Sequence, residues 1–453
     1  MSKETSTVNI RELAMQALIM VLEENKTSSE VLSGVLDKYQ YLPKQERAFF
    51  TRLCEGTMER AIELDYVINQ FSKTKTKKMK PVIRTILRMG TYQILYMSHV
   101  PDSAACNESV KLAQKKGFHT LKGFVNGVLR NISRNKENII YPDKKKDFLS
   151  YLNVTYSMPM WILEKWSKHY NKEELETMLA YFAMESKTTV RVNTEKIEKS
   201  SYMKQLEQAG VEVFEGTYYE NALQISGYNT IQSLPGYEEG YFTVQDESSM
   251  LAVLCAGIEP DMQILDVCAA PGGKTMFAAG LLKGTGKVIS CDVSDYKVAR
   301  IRENVKRLGL TNVEEMVWDA TECNDSWKQQ MDVVIADVPC SGLGVIGKKS
   351  DIKYNCSQEG INNLRSIQRE ILSNVCQYVK PGGVLLLSTC TVTEEENQEN
   401  AEWFSKNFDF DYESLVPYLP EQLSSSTAKD GYLKLLPGIH KTDGFFMARF
   451  RKR

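Results

Sequence analysis

The stretch Asp266-Val-Cys-Ala-Ala-Pro-Gly-Gly-Lys-Thr275 decides the fold of the C-terminal part of this 453-residue chain. An apolar, strand-like segment, Ile264–Val267, leads into it, and a helical pattern over Thr275–Leu282 follows it. A glycine-rich turn between a strand and a helix lets the backbone approach a ligand and presents free N–H groups at the helix start. It is not a P-loop, which would need glycine where Cys268 stands. We interpret it as a ligand-binding turn of an α/β domain.

Strand and helix patterns alternate on both sides of this turn after residue 240. The candidate strands are Ile264–Val267, Lys287–Cys291, Val313–Trp318, Asp332–Ala336, Gly383–Ser388 and Phe445–Phe450. The helical patterns between them are Thr275–Leu282, Asp295–Leu308 and Ile361–Val379. Repeated strand–helix units predict a parallel doubly wound sheet that binds ligands at the carboxyl ends of its strands.

The rest of the chain predicts two further domains. Before residue 140 the apolar residues recur at helical spacing with no strand alternation, which predicts an all-helical bundle. Between residues 148 and 240 helix patterns mix with strand-like segments such as Thr189–Asn193, which predicts a small α+β domain. We place the domains at residues 1–145, 146–238 and 239–453.

The charge is divided along the chain. Residues 1–140 hold 22 Lys and Arg against 14 Asp and Glu, whereas the remaining 313 residues hold 34 against 44. Residues 71–136 contain 14 basic residues and two acidic ones. A basic module joined to an acidic body suits a protein that docks a polyanion with one part and processes it with another. A solvated basic helix face is the alternative, and we favour nucleic acid because the charge is concentrated in one module.

Other classes of protein are disfavoured by the composition. The polar start, Met1–Thr7, has no apolar core and does not resemble a signal peptide. No apolar run approaches the roughly 20 residues that span a bilayer. The ten cysteines form no C-x-x-C pair and the four histidines stand apart, so neither a metal site nor a disulfide framework is expected. We expect a cytoplasmic protein with no membrane segment, and a monomer.

Acidic residues follow successive candidate strands. Asp292 ends the second strand, 20 residues after Gly272, which suits a carboxylate that binds ribose hydroxyls. Asp319 follows the third strand, where it can accept from an adenine amino group. A strand-end acid is often only a helix cap. Together with Asp266, which ends the first strand, they form three acids in successive units around the glycine-rich turn, and this favours a nucleoside-binding crevice.

Two cysteine motifs follow the fourth and fifth strands. The first is Asp337-Val-Pro-Cys-Ser-Gly-Leu-Gly344, with Cys340 at its centre, and the second is Leu387-Ser-Thr-Cys-Thr-Val392, with Cys390. Most cysteines are inert core residues. Two thiols at the ligand-binding edge of one sheet suit pyrimidine C5 chemistry, in which a thiolate adds to C6 and makes C5 nucleophilic. Asp337 is placed to stabilise that adduct near N3 and the amino group. The spacing leaves open which thiol attacks.

These three motifs together resemble the NOL1/NOP2/Sun family of RNA cytosine-C5 methyltransferases. Arg191-Val-Asn193, Gln245-Asp-Glu-Ser-Ser249 and Asp443-Gly-Phe-Phe446 also resemble motifs of that family. In the helical part, Val100–Glu108 and Gly123–Arg130 resemble the NusB-like RNA-binding domain. The resemblance covers nearly the whole chain and implies a NusB-like bundle, a small α+β domain and a Rossmann-like, S-adenosylmethionine-dependent methyltransferase domain.

The resemblance also implies residue roles. Cys390 would be the attacking thiol, and Cys340 would assist product release. Asp292 would bind the ribose, Asp319 would lie near the adenine, and Asp337 would lie between the cofactor and the target base. The methionine end of S-adenosylmethionine would be held by Cys268, Ala269, Ala270, Pro271, Gly272, Gly273 and Lys274. The family often has serine after the catalytic cysteine, and Thr391 keeps the hydroxyl.

The implied substrate is 16S rRNA, at cytosine 967, before the small subunit is fully assembled. Alternatives are a cytosine of transfer RNA or of 23S rRNA, or an RNA-binding protein whose methyltransferase domain is inactive. The target base would have to leave the folded RNA to reach the pocket. Some basic residues have two interpretations. RNA phosphates or solvent would contact the lysines that follow the Pro-Cys motif, Lys348, Lys349 and Lys353. Arg191 would either contact RNA or pair with an acidic residue.

Overall fold

A computed structural model describes residues 8–453 of the chain, and the polar stretch Met1–Thr7 lies outside these described residues. The chain divides into two compact units. The first unit runs up to Ala183 and also includes Ile346–Cys356. The second unit consists of Met184–Val345 and Ser357–Arg453.

The α-helices of the described residues fall in both units. In chain order they are α1 Ile10–Leu22, α2 Ser28–Lys38, α3 Lys44–Glu59, α4 Ala61–Phe71, α5 Pro81–Tyr96, α6 Asp102–Lys115, α7 Lys122–Arg134, α8 Phe148–Thr155, α9 Met160–Trp166, α10 Lys172–Phe182, α11 Lys199–Gln208, α12 Glu247–Cys255, α13 Gly273–Leu281, α14 Asp295–Leu308, α15 Ile352–Asn355, α16 Gln358–Val375, α17 Gln398–Asn407 and α18 Ser426–Lys429.

The strands form two sheets, both in the second unit. In chain order they are β1 Thr188–Val192, β2 Glu212–Glu215, β3 Ala222–Ser226, β4 Phe242–Val244, β5 Gln263–Asp266, β6 Lys287–Asp292, β7 Val313–Val317, β8 Met331–Asp337, β9 Val379–Thr389, β10 Phe410–Tyr412, β11 Tyr432–Leu435 and β12 Phe445–Lys452.

The first unit is helical, which confirms the predicted bundle. Helices α1–α7 bury one apolar core, in which Leu18, Leu64 and Leu129 have no exposed surface. Helix α3 and helix α5 approach closely at Gly56, where a Cβ atom would lie 2.0 Å from the Tyr92 ring. The apolar residues that recur at helical spacing therefore pack into the interior of the bundle.

A segment that follows the Pro-Cys motif in sequence packs within this helical unit. Asp351 accepts hydrogen bonds from the N–H of Ser28 at 3.1 Å and from its hydroxyl at 2.5 Å. Lys353 is buried, and its ammonium donates to the Glu59 carbonyl at 2.8 Å. Both interpretations of Lys353, as a phosphate contact and as a loop lysine in solvent, are therefore wrong. Lys348 and Lys349 are exposed, and their contact with RNA stays a prediction.

The smaller sheet confirms the predicted α+β region. It has the strand order β2-β3-β1-β4, with all pairs antiparallel. Its core includes Val190, Leu223 and Phe242, together with Tyr202 of helix α11. The limits that we assign to the three domains stay predictions.

Arg191, on β1, is buried by packing between the small sheet and helix α13 of the same unit. Its Nε donates to Gln245 at 2.9 Å, and its guanidinium lies 4.3 Å from the Phe277 ring centroid. Burial lowers its pKa to about 10. Both expectations for Arg191, an RNA contact and a pairing with an acid, are wrong because an amide and an aromatic ring surround it.

The larger sheet has the strand order β10-β12-β9-β8-β5-β6-β7, and β11 pairs with β12. The pairs among β5, β6, β7, β8 and β9 are parallel, as predicted. The expectation of a wholly parallel sheet is wrong for β12, which pairs antiparallel with β9, β10 and β11. An apolar run fits either direction, so the sequence of Phe445–Phe450 does not encode it.

This topology brings four strand ends to one edge. The parallel strands β5, β6, β8 and β9 are neighbours, and they end at Asp266, Asp292, Asp337 and Thr389. Each end leads into a segment whose sequence motif predicts a functional role. The carboxyl edge of the large sheet is therefore the candidate site.

Candidate active site

The turn after β5 is fixed to its neighbours by backbone and side-chain hydrogen bonds. The N–H of Ala269 donates to the Cys291 carbonyl on β6 at 2.9 Å, and Asn304 of α14 donates to the Pro271 carbonyl at 3.1 Å. Gly272 has a φ of 104° immediately before helix α13, a conformation that favours glycine. A Cβ atom there would also lie 2.9 Å from Met276 Cε. The sequence thus folds into a tight turn that leads directly into a helix N-terminus.

Asp266 is the buried acid beneath this turn. One carboxylate oxygen accepts a hydrogen bond from the Thr275 hydroxyl at 2.7 Å. The other, Oδ1, is buried and has no hydrogen-bond partner among residues 8–453. Burial raises the pKa of Asp266 to about 7. The sequence pattern counts Asp266 among the three strand-end acids but assigns it no ligand contact, whereas an orphaned buried acceptor suits a ligand that donates a hydrogen bond.

Asp292 and Asp319 differ in what they contact. Asp292 is buried; it accepts from the N–H of Ala270 at 3.0 Å and pairs with Lys297 at 3.0 Å. Asp292 is therefore bonded to the turn, and its contact with a ribose stays a prediction. Asp319 accepts from the N–H and the hydroxyl of Thr321, and these bonds lower its pKa. These bonds cap a turn, and the predicted contact of Asp319 with the adenine stays a prediction.

Cys268 and Lys274 come from the two ends of the turn. Burial, together with the negative charge of Asp292, raises the pKa of the Cys268 thiol well above its usual range. Lys274 is buried and pairs with Asp337 at 2.6 Å. Burial acts to lower the pKa of Lys274, but attraction to Asp337 outweighs it and the pKa lies above its usual value. A neutral thiol and a permanent cation thus line the turn.

The cysteines of the two motifs meet at the ends of β8 and β9. The sulfur atoms of Cys340 and Cys390 are 3.4 Å apart, within hydrogen-bonding distance. The hydrogen bond with Cys390, followed by burial, raises the pKa of the Cys340 thiol well above its usual range. A negative charge on Cys390 is among the causes that raise the pKa of Lys274. The arrangement therefore favours a thiol at Cys340 and attracts a thiolate at Cys390.

Asp337 lies at the end of β8, next to this pair in the fold. Its carboxylate accepts from the Ser388 hydroxyl at 2.6 Å and from Lys274 at 2.6 Å. Hydrogen bonds from two separate elements fix its orientation. The structure thus brings together Asp337, Cys340, Cys390 and Lys274, which are far apart in sequence.

Sequence reasoning missed a set of buried polar residues behind the thiols. Glu396, Gln368 and Asn397 have no exposed surface and bond to the loops that carry Cys340 and Cys390. The acidic run Glu394–Asn397 was a visible signal, because it directly follows the second cysteine motif. A charged run after a strand usually indicates a solvated turn, so its burial could not be read from the pattern.

The residues at this edge fit S-adenosylmethionine. The orphaned Asp266 oxygen is an acceptor of the kind that an amino group needs, and the N–H groups at the start of α13 are donors of the kind that a carboxylate needs. The buried carboxylate of Asp292 provides further acceptor capacity beside the turn. Donor and acceptor types therefore match the amino, carboxylate and hydroxyl groups of the cofactor.

The described residues hold neither a candidate metal site nor a candidate membrane-spanning helix. Among residues 8–453, no cluster of three or more His, Cys, Asp or Glu side chains is arranged to hold a metal ion. Within the same residues, no helix combines the length and the apolar character needed to cross a membrane.

The large sheet and its edge define the class of protein, an S-adenosylmethionine-dependent RNA methyltransferase, and the comparisons with known proteins agree. Residues 253–451 match the family model described as 16S rRNA methyltransferase RsmB/F. Residues 8–134 match the NusB family, and residues 158–232 match the ferredoxin-like domain of RsmF/B-like methyltransferases. The chain belongs to the RsmB/F family of rRNA methyltransferases.

Relatives match over the whole length. The "Probable ribosomal RNA small subunit methyltransferase B" of Bacillus subtilis (strain 168) is 36% identical over 100% of both chains. The ribosomal RNA small subunit methyltransferase B of Escherichia coli O127:H6 is 29% identical over 98% of this chain and 99% of its own length.

Solved structures agree in fold. The crystal structure of PH0851 has a TM-score of 0.81 and 26% identity, and covers 98% of this chain and 100% of its own. The structure of NSun6 from Pyrococcus horikoshii with SFG has a TM-score of 0.57 and 22% identity, and covers 64% of this chain and 97% of its own. The family models and the full-length relatives confirm the three expected domains, the methyltransferase activity and the cofactor S-adenosylmethionine, and the solved structures agree with the fold.

Proposed function

We propose that this protein methylates C5 of cytosine 967 in 16S rRNA through a covalent adduct of Cys390. The observation that carries the chemistry is the pair of thiols, with sulfur atoms 3.4 Å apart, at the edge that also holds the Lys274–Asp337 ion pair. An enzyme that methylates oxygen or nitrogen needs no nucleophilic cysteine, whereas cytosine C5 needs a nucleophile at C6 before it can react.

The reaction begins with the Cys390 thiolate, which forms a bond to cytosine C6. The electron pair of the C5–C6 double bond moves into the ring, and C5 becomes nucleophilic. When bound, S-adenosylmethionine supplies an electrophilic methyl group to C5. N3 takes up a proton from solvent as the electron pair arrives there, and Asp337 accepts hydrogen bonds from this N3–H and from the amino group, which stabilises the adduct. Lys274 holds Asp337 in place and stabilises the anionic thiolate.

Product release requires that the proton that remains on C5 passes to solvent. Removal of this proton returns its electron pair to the C5–C6 bond, and the bond from C6 to Cys390 breaks to release a thiolate. Cys340 is the group next to Cys390, at 3.4 Å between sulfur atoms, and assists this step. The second thiol therefore acts after methyl transfer, and its loss leaves the adduct formed but not resolved.

The cofactor lies, in this proposal, along the turn after β5. Residues 268–274 hold its methionine end, Asp292 binds the ribose and Asp319 lies near the adenine. Support comes from the orphaned oxygen of Asp266 and from the bond between Asp292 and Ala270.

The N-terminal unit supplies an RNA-binding surface. Helices α6 and α7 border a groove of about 750 Å³. Its polar lining includes Asn107, Lys111, Lys122, Asn126 and Arg130. Cations and amide groups along an open groove suit an RNA backbone, and helix α7 ends in a further basic residue, Arg134. We place the binding of 16S rRNA here, in the cytoplasm and before the small subunit is complete, and we propose that a monomer acts.

The test is methyl transfer from labelled S-adenosylmethionine to 16S rRNA that lacks its own methylation, followed by bisulfite sequencing. The expected product is one new 5-methylcytosine at position 967. Transfer to another position, to 23S rRNA or to transfer RNA would keep the chemistry and overturn the substrate. Failure of transfer to every RNA, with S-adenosylmethionine still bound, would favour an RNA-binding protein with an inactive methyltransferase domain.

A further inference from the structure

A buried carboxylate connects the two cysteine loops. Glu396 lies in the turn between β9 and α17 and has no exposed surface. One oxygen accepts from the N–H of Ser341 at 2.7 Å, and the other accepts from the Ser341 hydroxyl at 2.5 Å. Ser341 directly follows Cys340, so this bidentate contact fixes the backbone that carries the first thiol.

The same carboxylate reaches the second loop. It accepts from the hydroxyl of Thr393, and the Ser341 hydroxyl lies 2.8 Å from the hydroxyl of Thr391, the residue after Cys390. Asn397, next to Glu396, donates to the Thr391 carbonyl at 2.9 Å. The residues immediately after the two cysteines therefore share one hydrogen-bond network.

Gln368 completes the network from helix α16. Its amide nitrogen donates to Glu396 at 3.1 Å and to the carbonyl of Pro339, the residue before Cys340, at 2.9 Å. Its oxygen accepts from Asn400 of α17 at 2.6 Å. The nitrogen and the oxygen of the Gln368 side-chain amide both have partners. Rotation of this amide would therefore break hydrogen bonds, and the network holds one orientation.

We propose that Glu396 is a positioning residue that sets the separation and orientation of Cys340 and Cys390. It accepts four hydrogen bonds and sits behind the thiols in the described structure, so it acts through the loops and not on the substrate. Its negative charge also contributes to the raised pKa of Cys340, which helps to keep that thiol protonated. This role rests on the proposed adduct chemistry.

The substitution Glu396→Gln keeps the shape but turns an acceptor oxygen into a donor that faces N–H or O–H groups. We expect kcat to fall by about 100-fold, the typical cost of a displacement near 1 Å at a reacting centre. The KM values for RNA and for S-adenosylmethionine should stay within about twofold, because binding surfaces are unchanged. The matched control is Glu402→Gln, an exposed glutamate on α17, which should leave both constants unaltered.

A second measurement tests, without any RNA, whether the two thiols are close enough to bind one arsenic atom together. Phenylarsine oxide bridges two neighbouring thiols: arsenic forms two As–S bonds, and its oxygen leaves as water with both thiol protons. The wild-type protein should bind it across Cys340 and Cys390, and Cys340→Ala gives the baseline of the other cysteines. Glu396→Gln should weaken this binding by about tenfold, since the chelate depends on the effective concentration of one thiol near the other.

The outcomes separate the positioning role from the proposed function. If the wild-type protein methylates no RNA, the proposed function fails, and the arsenical titration still tests the role of Glu396. Unchanged arsenical affinity in Glu396→Gln overturns the positioning role, whatever happens to kcat. If that variant does not fold, Ser341→Ala removes one bond to the same carboxylate, and an unchanged arsenical affinity there overturns the role as well.

Discussion

The two cysteines at the sheet edge lie in different electrostatic surroundings. The hydrogen bond with Cys390, followed by burial, raises the pKa of the Cys340 thiol, and the negative charge of Glu396 raises it further. Cys390 interacts favourably, as a thiolate, with the ammonium of Lys274. A nucleophile needs the anionic form, and a group that acts later does not. These surroundings support Cys390 as the attacking thiol, which the sequence spacing alone left open.

The two alanine variants should therefore differ in kind. Cys390→Ala should reduce methyl transfer to background, because no bond to C6 can form. Cys340→Ala should let a covalent protein–RNA adduct accumulate, because the adduct forms but resolves slowly. Denaturing electrophoresis with labelled RNA measures the adduct. An adduct trapped by Cys390→Ala and not by Cys340→Ala would reverse the two roles.

At this scale the sequence predicts residues whose position follows from the topology. Asp337, Cys340 and Cys390 come together because parallel strands end at one edge, and a strand-end residue can be located from the pattern alone. Arg191, Lys353 and Glu396 could not be placed in the same way. Their environment is created by elements distant in sequence, and burial of a charged side chain has no signature in spacing or composition.

At the scale of elements, the start of β12 packs directly on the loop after Cys340. The N–H of Gly444 donates to the carbonyl of Gly344 at 2.8 Å. A Cβ atom at Gly344 would lie 2.1 Å from the Gly444 carbonyl oxygen and 2.8 Å from that of Cys390. Both contacts are with backbone, which cannot move aside as a flexible side chain can. Two backbone segments meet here because both positions are glycine.

Gly344→Ala should lower stability and activity together. Forcing a methyl group into a closed space costs about 1–3 kcal/mol, and the loop of Cys340 must shift to admit it. We expect a lower thermal midpoint and slower adduct formation. The control is Gly280→Ala in helix α13, where a Cβ atom meets open space and alanine is the better helix former. Equal midpoints for both variants would contradict this account.

The sequence predicts most strands of the large sheet, but it does not predict that the strands at one end pair antiparallel. The parallel strands β5–β9 follow the expected strand–helix alternation, and their positions agree with the candidate strands. Strands β10 and β11 are three and four residues long, too short for a period of two to be distinguished from an irregular loop. Because β12 is buried on both faces over Phe445–Phe450, its apolar pattern is interrupted only by the buried Arg449 and resembles that of a parallel strand.

At the scale of the whole molecule, the division of charge predicts how RNA binding responds to salt. Lys122 and Arg130 line the groove between α6 and α7. Each phosphate contact with a single strand contributes roughly 0.7 to the slope of log K against log salt. The double variant Lys122→Ala/Arg130→Ala should raise KM for RNA and reduce that slope by about 1.4. Filter binding at several salt concentrations measures the slope.

The control for this prediction is Lys168→Ala, an exposed lysine that does not line the groove. It should leave the slope within error of the wild-type value. A double variant with an unchanged slope would show that RNA binds elsewhere, whereas an unchanged KM for S-adenosylmethionine would show that the methyltransferase domain is intact.

The buried lysine of the first unit makes stability depend on pH in a defined direction. Burial lowers the pKa of Lys353 in the folded chain to about 7, whereas the pKa of an exposed lysine is about 10.4. Below pH 7 both states bind the proton, and the cost of burying the charge is present in full. Between pH 7 and about 10 the unfolded chain binds more protons than the folded chain, so the contribution of Lys353 to stability rises with pH.

Lys353→Met removes this titration. The thermal midpoint of this variant, relative to wild type, should therefore fall steadily from pH 7 to pH 10. The matched control, Lys349→Met at an exposed position, should show a constant difference. A constant difference for Lys353→Met as well would mean that its ammonium is not buried in the folded protein.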